Sequence, residues 1–180
     1  MPPHERRTNG FPTLPRTAES IRRALLTTGG VIFLSAVSES RTEHANMRGI
    51  FEILSAIERR DLQRLVELCQ ADVEFHWPPV LPYGGTSRGL RAEPPSWGHT
   101  WIPLQPTEAE RKMDPRIVAA SDDEVVVLWR QRGISPGGDR LDSPVLALYE
   151  IRDGKLARAQ MFYFDPAAVV DFLATAKTAA

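Results

Sequence analysis

His76 is the residue of this sequence best suited to acid–base chemistry. It lies in the alternating segment 72–77, two residues after Glu74, so both side chains are expected on one face of a strand. An imidazole has an ordinary pKa of about 6.5, close to physiological pH, and therefore accepts or donates a proton readily. Two roles fit this position: a catalytic acid or base, or a histidine that only packs within its strand.

Arg130 and Arg132 form a second candidate for ligand binding. They lie two residues apart in one predicted strand and share a face, where two guanidiniums can hold a carboxylate, phosphate or enolate oxygen. Pairing with acidic residues across a sheet is the alternative. The opposite face carries Trp129, so the ligand is expected to be anionic if the arginines face inward and apolar if Trp129 does.

Aromatic side chains are numerous enough to surround a flat apolar molecule, although the packing of an ordinary core has the same composition. The candidates for ligand binding are Trp77, Tyr83, Trp97, Trp101, Trp129, Tyr149, Phe162 and Tyr163.

Composition excludes several other classes of function. The 22 basic and 23 acidic residues are interleaved, which argues against a nucleic-acid partner. No histidine or carboxylate pair has metal-ligand spacing, and no glycine-rich phosphate loop or nucleophile motif is present, so no metal and no cofactor are expected. Cys69, the only cysteine, lies in an apolar pattern typical of a buried side chain.

The elements that must position these residues begin with two helices. Apolar residues recur at helical spacing from Met47 to Ile57, and Asp61 is suited to cap a second helix that carries Leu62 and Leu65 inward. The strand 72–77 follows and stops at two prolines. A proline-rich segment, 78–106, is then expected to form a loop that packs on its own aromatic side chains.

Strands dominate the second half of the sequence. Thr107 has the spacing of a capping box for a short helix, and strands are expected over 117–120, 124–132, 144–152 and 156–164. Asp153 and Gly154 favour a tight hairpin between the last two strands, so antiparallel order is expected. Asp165 and Pro166 then begin a terminal helix. Helices followed by an antiparallel sheet predict an α+β fold in which the helices cover a curved sheet and leave a cavity.

Residues 1–45 differ in composition from the remainder. They combine prolines, arginines and polar residues with one short apolar stretch, 24–37, that is interrupted by Gly29 and Gly30. The segment is interpreted as a flexible extension, and a domain is expected over 46–178. The arginine pair before the apolar stretch also loosely resembles a twin-arginine export signal, so export is the alternative to a cytoplasmic location. The stretch is too short to span a membrane.

Several short motifs resemble the nuclear transport factor 2-like superfamily, in particular its SnoaL-like branch. The motifs lie between the two helices, on the first strand, after it, at the last hairpin and before the final helix: 59–62, 71–77, 84–89, 152–156 and 163–165. The resemblance implies a cone-shaped α+β barrel with a cystatin-like, curved antiparallel sheet covered by N-terminal helices. The family includes steroid isomerases, polyketide cyclases, epoxide hydrolases and dehydratases, so the fold alone does not give the reaction.

The sequence departs from the family at two known types of site. Where limonene epoxide hydrolase-like members hold a water with an Arg-x-Asp pair and a later Asp, this chain has Arg130-Gln131-Arg132 and Phe162. That site therefore cannot be carried over. Where ketosteroid isomerase-like members have a carboxylate on the first strand, this chain has His76.

Two functions remain open from the sequence. The first is a cofactor-independent isomerase, cyclase or dehydratase that moves a proton on an apolar or aromatic metabolite, with His76 as the acid or base. The second is a non-catalytic module that binds a ligand or forms a homodimer through its exposed sheet face. A pocket lined only by apolar side chains, with His76 turned away, would favour the second.

Overall fold

The computed structural model describes residues 31–90 and 104–178, and within these it describes the side chains of 41–90 and 104–176. The chain divides into two units, residues 1–37 and residues 38–180. The predicted boundary between 45 and 46 stays a prediction. Trp97 and Trp101 lie outside the described residues, as do positions 91–103 of the loop predicted over 78–106.

Four helices are described: α1, Val31–Arg59; α2, Leu62–Leu68; α3, Glu108–Arg111; and α4, Pro166–Thr178. Helix α1 begins well before the expected start near Met47, because residues 31–48 contain no proline or glycine to interrupt it. Asp61 caps α2 as predicted, with its carboxylate accepting a hydrogen bond from the Arg64 amide at 3.0 Å. None of the described helices is long and apolar enough to cross a membrane.

Six strands form one curved sheet in the order β2-β1-β6-β5-β4-β3. Their bounds are β1, Cys69–Trp77; β2, Gly85–Arg88; β3, Arg116–Ala120; β4, Glu124–Ile134; β5, Arg140–Arg152; and β6, Lys155–Tyr163. The edges are β2 and β3, which do not pair with each other, so the sheet is curved but not closed. Asp153 and Gly154 adopt the left-handed backbone of the predicted hairpin turn.

The sheet is not wholly antiparallel as expected, because β1 and β6 run parallel. The other four strand pairs are antiparallel. A parallel neighbour cannot be joined by a tight turn, and here the whole chain from β2 to β5 connects the two strands. Strand β2 is a second difference: it lies inside the segment predicted as loop and pairs with β1 as a short hairpin edge.

The two faces of the sheet differ in burial. Alternate residues of β4, β5 and β6 are buried, and together with buried residues of α1, α2 and α4 they form the hydrophobic core. We name this the cavity face; it carries Val127, Trp129 and Tyr149 among others. The opposite side, which carries His76, Arg130 and Phe162, is named the outer face. The fold class is therefore α+β, with helices packed against one side of a curved sheet.

Candidate functional site

A cavity of about 50 Å³ lies between α1, α2, the segment after α3 and the cavity face. A single water needs about 10–15 Å³ of such space, so the cavity admits a compact molecule only. Typical ligand pockets are larger, about 300–1,000 Å³. The lining side chains are aliphatic, aromatic or thioether: Ile53, Ile57, Leu65, Phe75, Trp77, Met113, Trp129, Tyr149, Leu156, Ala159 and Met161.

Strand alternation places these residues together. Trp129, Val145 and Tyr163 form one row of paired inward residues across β4, β5 and β6. Val125, Tyr149 and Ala159 form another inward row across the same three strands. Each inward residue is two positions from the next, so one face collects the apolar side chains. Phe75 and Trp77 add the wall from β1, with their rings stacked at 5.7 Å between centroids.

Three side chains of this apolar lining carry a polar atom: Trp77, Trp129 and Tyr149. The indole Nε1 of Trp129 is buried and has no hydrogen bond of standard geometry among the described residues. The Tyr149 hydroxyl lies beside this indole: burial raises the pKa of the phenol, and the indole acts in the opposite direction. Tyr149 is therefore a neutral phenol near pH 7.

A buried tyrosine pair lies beside the cavity. The hydroxyls of Tyr83 and Tyr163 are 3.1 Å apart, and the Tyr163 hydroxyl donates to Gln131 Oε1 at 3.4 Å. Gln131 is fully buried, and the ring of Tyr163 meets Trp129 edge-on at 6.5 Å. Burial raises the pKa of Tyr83 to about 12 and that of Tyr163 well above its usual 10.0. Both phenols can donate hydrogen bonds, but neither is poised to act as a base near neutral pH.

His76 lies on the outer face, away from the cavity. Its Nε2 is 2.9 Å from Glu74 Oε2, and its Nδ1 is 3.1 Å from Thr86 Oγ1. Glu74 in turn pairs with Arg88 at 2.7 Å. Because Phe75 and Trp77 point to the cavity, the residue between them must point away. The structure thus does not bring His76 together with the aromatic candidates.

Arg130 and Arg132 also lie on the outer face, where they pair with acidic residues. Arg130 Nε is 2.6 Å from Asp142 Oδ1, and Arg132 pairs with Asp114. Arg132 also donates to the Lys112 carbonyl at 2.6 Å. These guanidiniums have acidic partners within the chain and do not line the cavity.

The aromatic candidates separate into three groups. Trp77, Trp129 and Tyr149 line the cavity, whereas Tyr83 and Tyr163 lie buried beside it. Phe162 is half exposed on the outer face. Trp97 and Trp101 fall outside the described residues.

Sequence reasoning did not identify the aliphatic and thioether part of the lining. Ile53 and Ile57 lie one turn apart in α1, whereas Met113 follows α3, so no local spacing marks all three as one site. Gln131 had a usable signal: it is a polar residue at an inward position of an otherwise apolar strand face. Among the described side chains, no three His, Cys, Asp or Glu residues cluster closely enough to hold a metal ion.

Comparison with known sequences identifies related proteins. A sequence model of the SnoaL-like domain matches residues 50–159. An uncharacterised protein of Mycobacterium tuberculosis strain H37Rv is 28% identical over 133 residues, which cover 74% of this chain and 99% of the relative. An uncharacterised Mycobacterium bovis protein matches to the same extent.

Solved structures share the fold at low sequence identity. Bal32a, from a soil-derived mobile gene cassette, has a TM-score of 0.61 at 20% identity, covering 73% of this chain and 98% of that one. TerC, crystallised with polyporic acid, has a TM-score of 0.58 at 20% identity, with 72% and 98% covered. A candidate SnoaL-like polyketide cyclase from Jannaschia has 0.55 at 18%, with 73% and 94% covered. These likenesses establish the fold.

Proposed function

We propose that this chain, which belongs to the SnoaL-like domain family, binds a compact apolar small molecule in the cavity beneath α1 and α2. The observation that carries the proposal is the division between the two faces of the sheet. The cavity wall is apolar and aromatic, whereas His76, Arg130 and Arg132 are paired on the outer face. An apolar concave site with few polar groups is typical of small-molecule binding.

Methionine methyl groups provide a direct test. Met113 and Met161 line the cavity, while Met47 packs against the core elsewhere. Titration of the ¹³C-methyl-methionine protein with indole, cyclohexanone and acetophenone should give saturable shifts at Met113 and Met161 and little change at Met47. Ala159→Leu, which adds a branched side chain to the cavity wall, should abolish these shifts while the protein stays folded. Shifts absent from both lining methionines with all three compounds would contradict the proposal.

A second candidate function is a cofactor-independent isomerase, cyclase or dehydratase. The hydrogen-bonded phenols of Tyr83 and Tyr163 beside the cavity favour it, because neutral buried phenols can stabilise a developing oxyanion. The polyketide cyclase-like neighbour has the same fold, which is consistent with this class but does not assign it. Among the described residues that line the cavity there is no carboxylate or imidazole to remove a proton, so binding without catalysis is the preferred function.

Deuterium exchange separates the two functions. A proton-transfer enzyme would accelerate exchange of the methyl hydrogens of bound acetophenone in D₂O, because it removes a proton next to the carbonyl and returns a deuteron from solvent. The binding function predicts no acceleration over buffer in the wild type. Acceleration that Tyr163→Phe removes would favour the enzyme instead.

We also propose that a second copy of the chain covers the outer face. Phe162 and Val118 are half exposed there, and Phe162, Leu146 and Leu128 form one row across β6, β5 and β4. Exposed apolar rows of this kind commonly mark interfaces. Sedimentation should therefore show a dimer that Phe162→Glu dissociates and Lys155→Glu, at the exposed hairpin, does not. A wild-type monomer at micromolar concentration would contradict this proposal.

A further inference from the structure

The cavity contains one polar group that its apolar neighbours do not satisfy. The Trp129 indole is 3% exposed, its N–H has no hydrogen-bond partner of standard geometry in the part of the chain that the structure describes, and its side chain lines the cavity. An indole nitrogen can only donate a hydrogen bond. Its partner must therefore be an acceptor.

Such a donor is unusual in a folded core. The large majority of buried polar side-chain atoms have a hydrogen-bond partner, and a missing partner destabilises the folded protein. Phenylalanine at position 129 would fill similar space without this cost. The two tyrosine hydroxyls near the indole differ in their surroundings. Tyr163 donates a hydrogen bond to Gln131, whereas Tyr149 lines the same cavity as the indole and its hydroxyl lies beside it.

The charge of the lining limits the kind of acceptor. None of the eleven lining side chains is ionised near pH 7, since Tyr149, the only titratable one, is a phenol with an ordinary pKa of 10.0 that burial raises further. The nearest cations in the strand of Trp129 are Arg130 and Arg132, which are paired with Asp142 and Asp114 on the outer face. A carboxylate or phosphate would therefore enter the cavity without a counter-charge, at a high desolvation cost.

We infer that the ligand is a neutral molecule with a hydrogen-bond acceptor of the carbonyl type, held by the Trp129 indole N–H, with the Tyr149 hydroxyl as a second polar contact. The remaining surface of this ligand is apolar and packs against Met113, Met161 and Phe75. This inference rests on the proposed binding function and adds the substrate class to it.

Matched ligand pairs test the acceptor separately from binding itself. Acetophenone and α-methylstyrene have nearly the same shape, but only the ketone has an acceptor; cyclopentanone and methylenecyclopentane form a smaller pair. Wild-type protein should bind each ketone about five- to tenfold more tightly than its hydrocarbon partner. The indole N–H resonance of Trp129, assigned by its loss in Trp129→Phe, should move downfield with the ketones only.

Variants give the matched controls. Trp129→Phe keeps an aromatic ring and should bind ketone and hydrocarbon equally, and Tyr149→Phe should reduce the preference without removing it. His76→Gln on the outer face should keep the full preference. Thermal unfolding of each variant establishes that it is folded. Equal binding of ketone and hydrocarbon by the wild type would overturn this inference alone, whereas binding of neither pair would overturn the proposed function as well.

Discussion

The two faces of the sheet in this protein are built from the same strands and have opposite chemistry. On the cavity face, Trp129, Tyr149 and Met161 surround a small apolar space. On the outer face, Arg130 and His76 are engaged with acidic or hydroxyl partners. Adjacent residues of one strand therefore belong to different environments. A residue's chemistry thus indicates a functional site only after its face of the sheet is known.

The largest expected effect comes from placing a charge on each face in turn. Met161 lines the cavity and Gln160, its neighbour in β6, points outward. Met161→Glu should lower the free energy of unfolding by about 3 kcal/mol or more, because an unpaired carboxylate would be buried. Gln160→Glu, with a side chain of similar size, should change it by less than about 1 kcal/mol. Urea denaturation measures both, and equal effects would refute the assignment of the faces.

A smaller effect tests the packing of α4 on the cavity face. A Cβ atom added at Gly133 would lie 2.8 Å from the ring of Phe172 and 3.2 Å from the Leu104 Cα. Gly133→Ala should therefore destabilise the protein by about 1–3 kcal/mol. Gly49→Ala, in helix α1, where an added Cβ would meet no described atom within 4 Å apart from its own stretch of helix backbone, should instead stabilise it by about 0.5–1 kcal/mol. The same chemical denaturation decides the sign of each change.

Alkaline pH tests the burial of the cavity face without changing its shape. Burial raises the pKa of the Cys69 thiol from 9.0 to about 12, so the folded state holds this proton more tightly than the unfolded chain. The resulting stability is fully present below pH 9 and is lost between about pH 9 and 12. Cys69→Ala lacks this contribution, so its stability should fall less steeply over that range. Parallel curves for the two proteins would argue against a buried thiol.

The smallest effect is expected from the ion pairs of the outer face. Arg130 and Asp142 are both substantially exposed, and such pairs contribute less than about 1 kcal/mol. Arg130→Gln should therefore cost little stability, and the difference should shrink in 1 M salt. Ligand affinity should not change, because the guanidinium does not line the cavity. A large loss of affinity would place Arg130 in the site.

Much of the fold could be predicted because its signals are local. Helical spacing, the Asp61 cap, the Asp153-Gly154 turn and the alternation of β4 each depend on neighbouring residues. The parallel pairing of β1 with β6 could not be predicted in this way, since it joins residues as far apart in the chain as Cys69 and Leu156. Strand β2 was missed because its four residues, Gly85–Arg88, follow a proline-rich turn and include no apolar side chain whose alternation the sequence could show.

The candidate site was predicted less completely. Alternation correctly placed Glu74 with His76, and Arg130 with Arg132, on shared faces. It could not decide which face turns inward, because that depends on the packing of α1 and α2 against the whole sheet. The sequence predicts that an inward Trp129 means an apolar ligand, and the structure places Trp129 inward.

Calorimetric titration of acetophenone decides directly whether the ligand binds at the cavity face. It is carried out on three proteins: wild type, Ala159→Leu on the cavity face and His76→Gln on the outer face. If the cavity face is the binding site, acetophenone should bind at least tenfold more weakly to Ala159→Leu and with unchanged affinity to His76→Gln. The opposite result, with binding retained in Ala159→Leu and lost in His76→Gln, would move the functional site to the outer face and contradict the account.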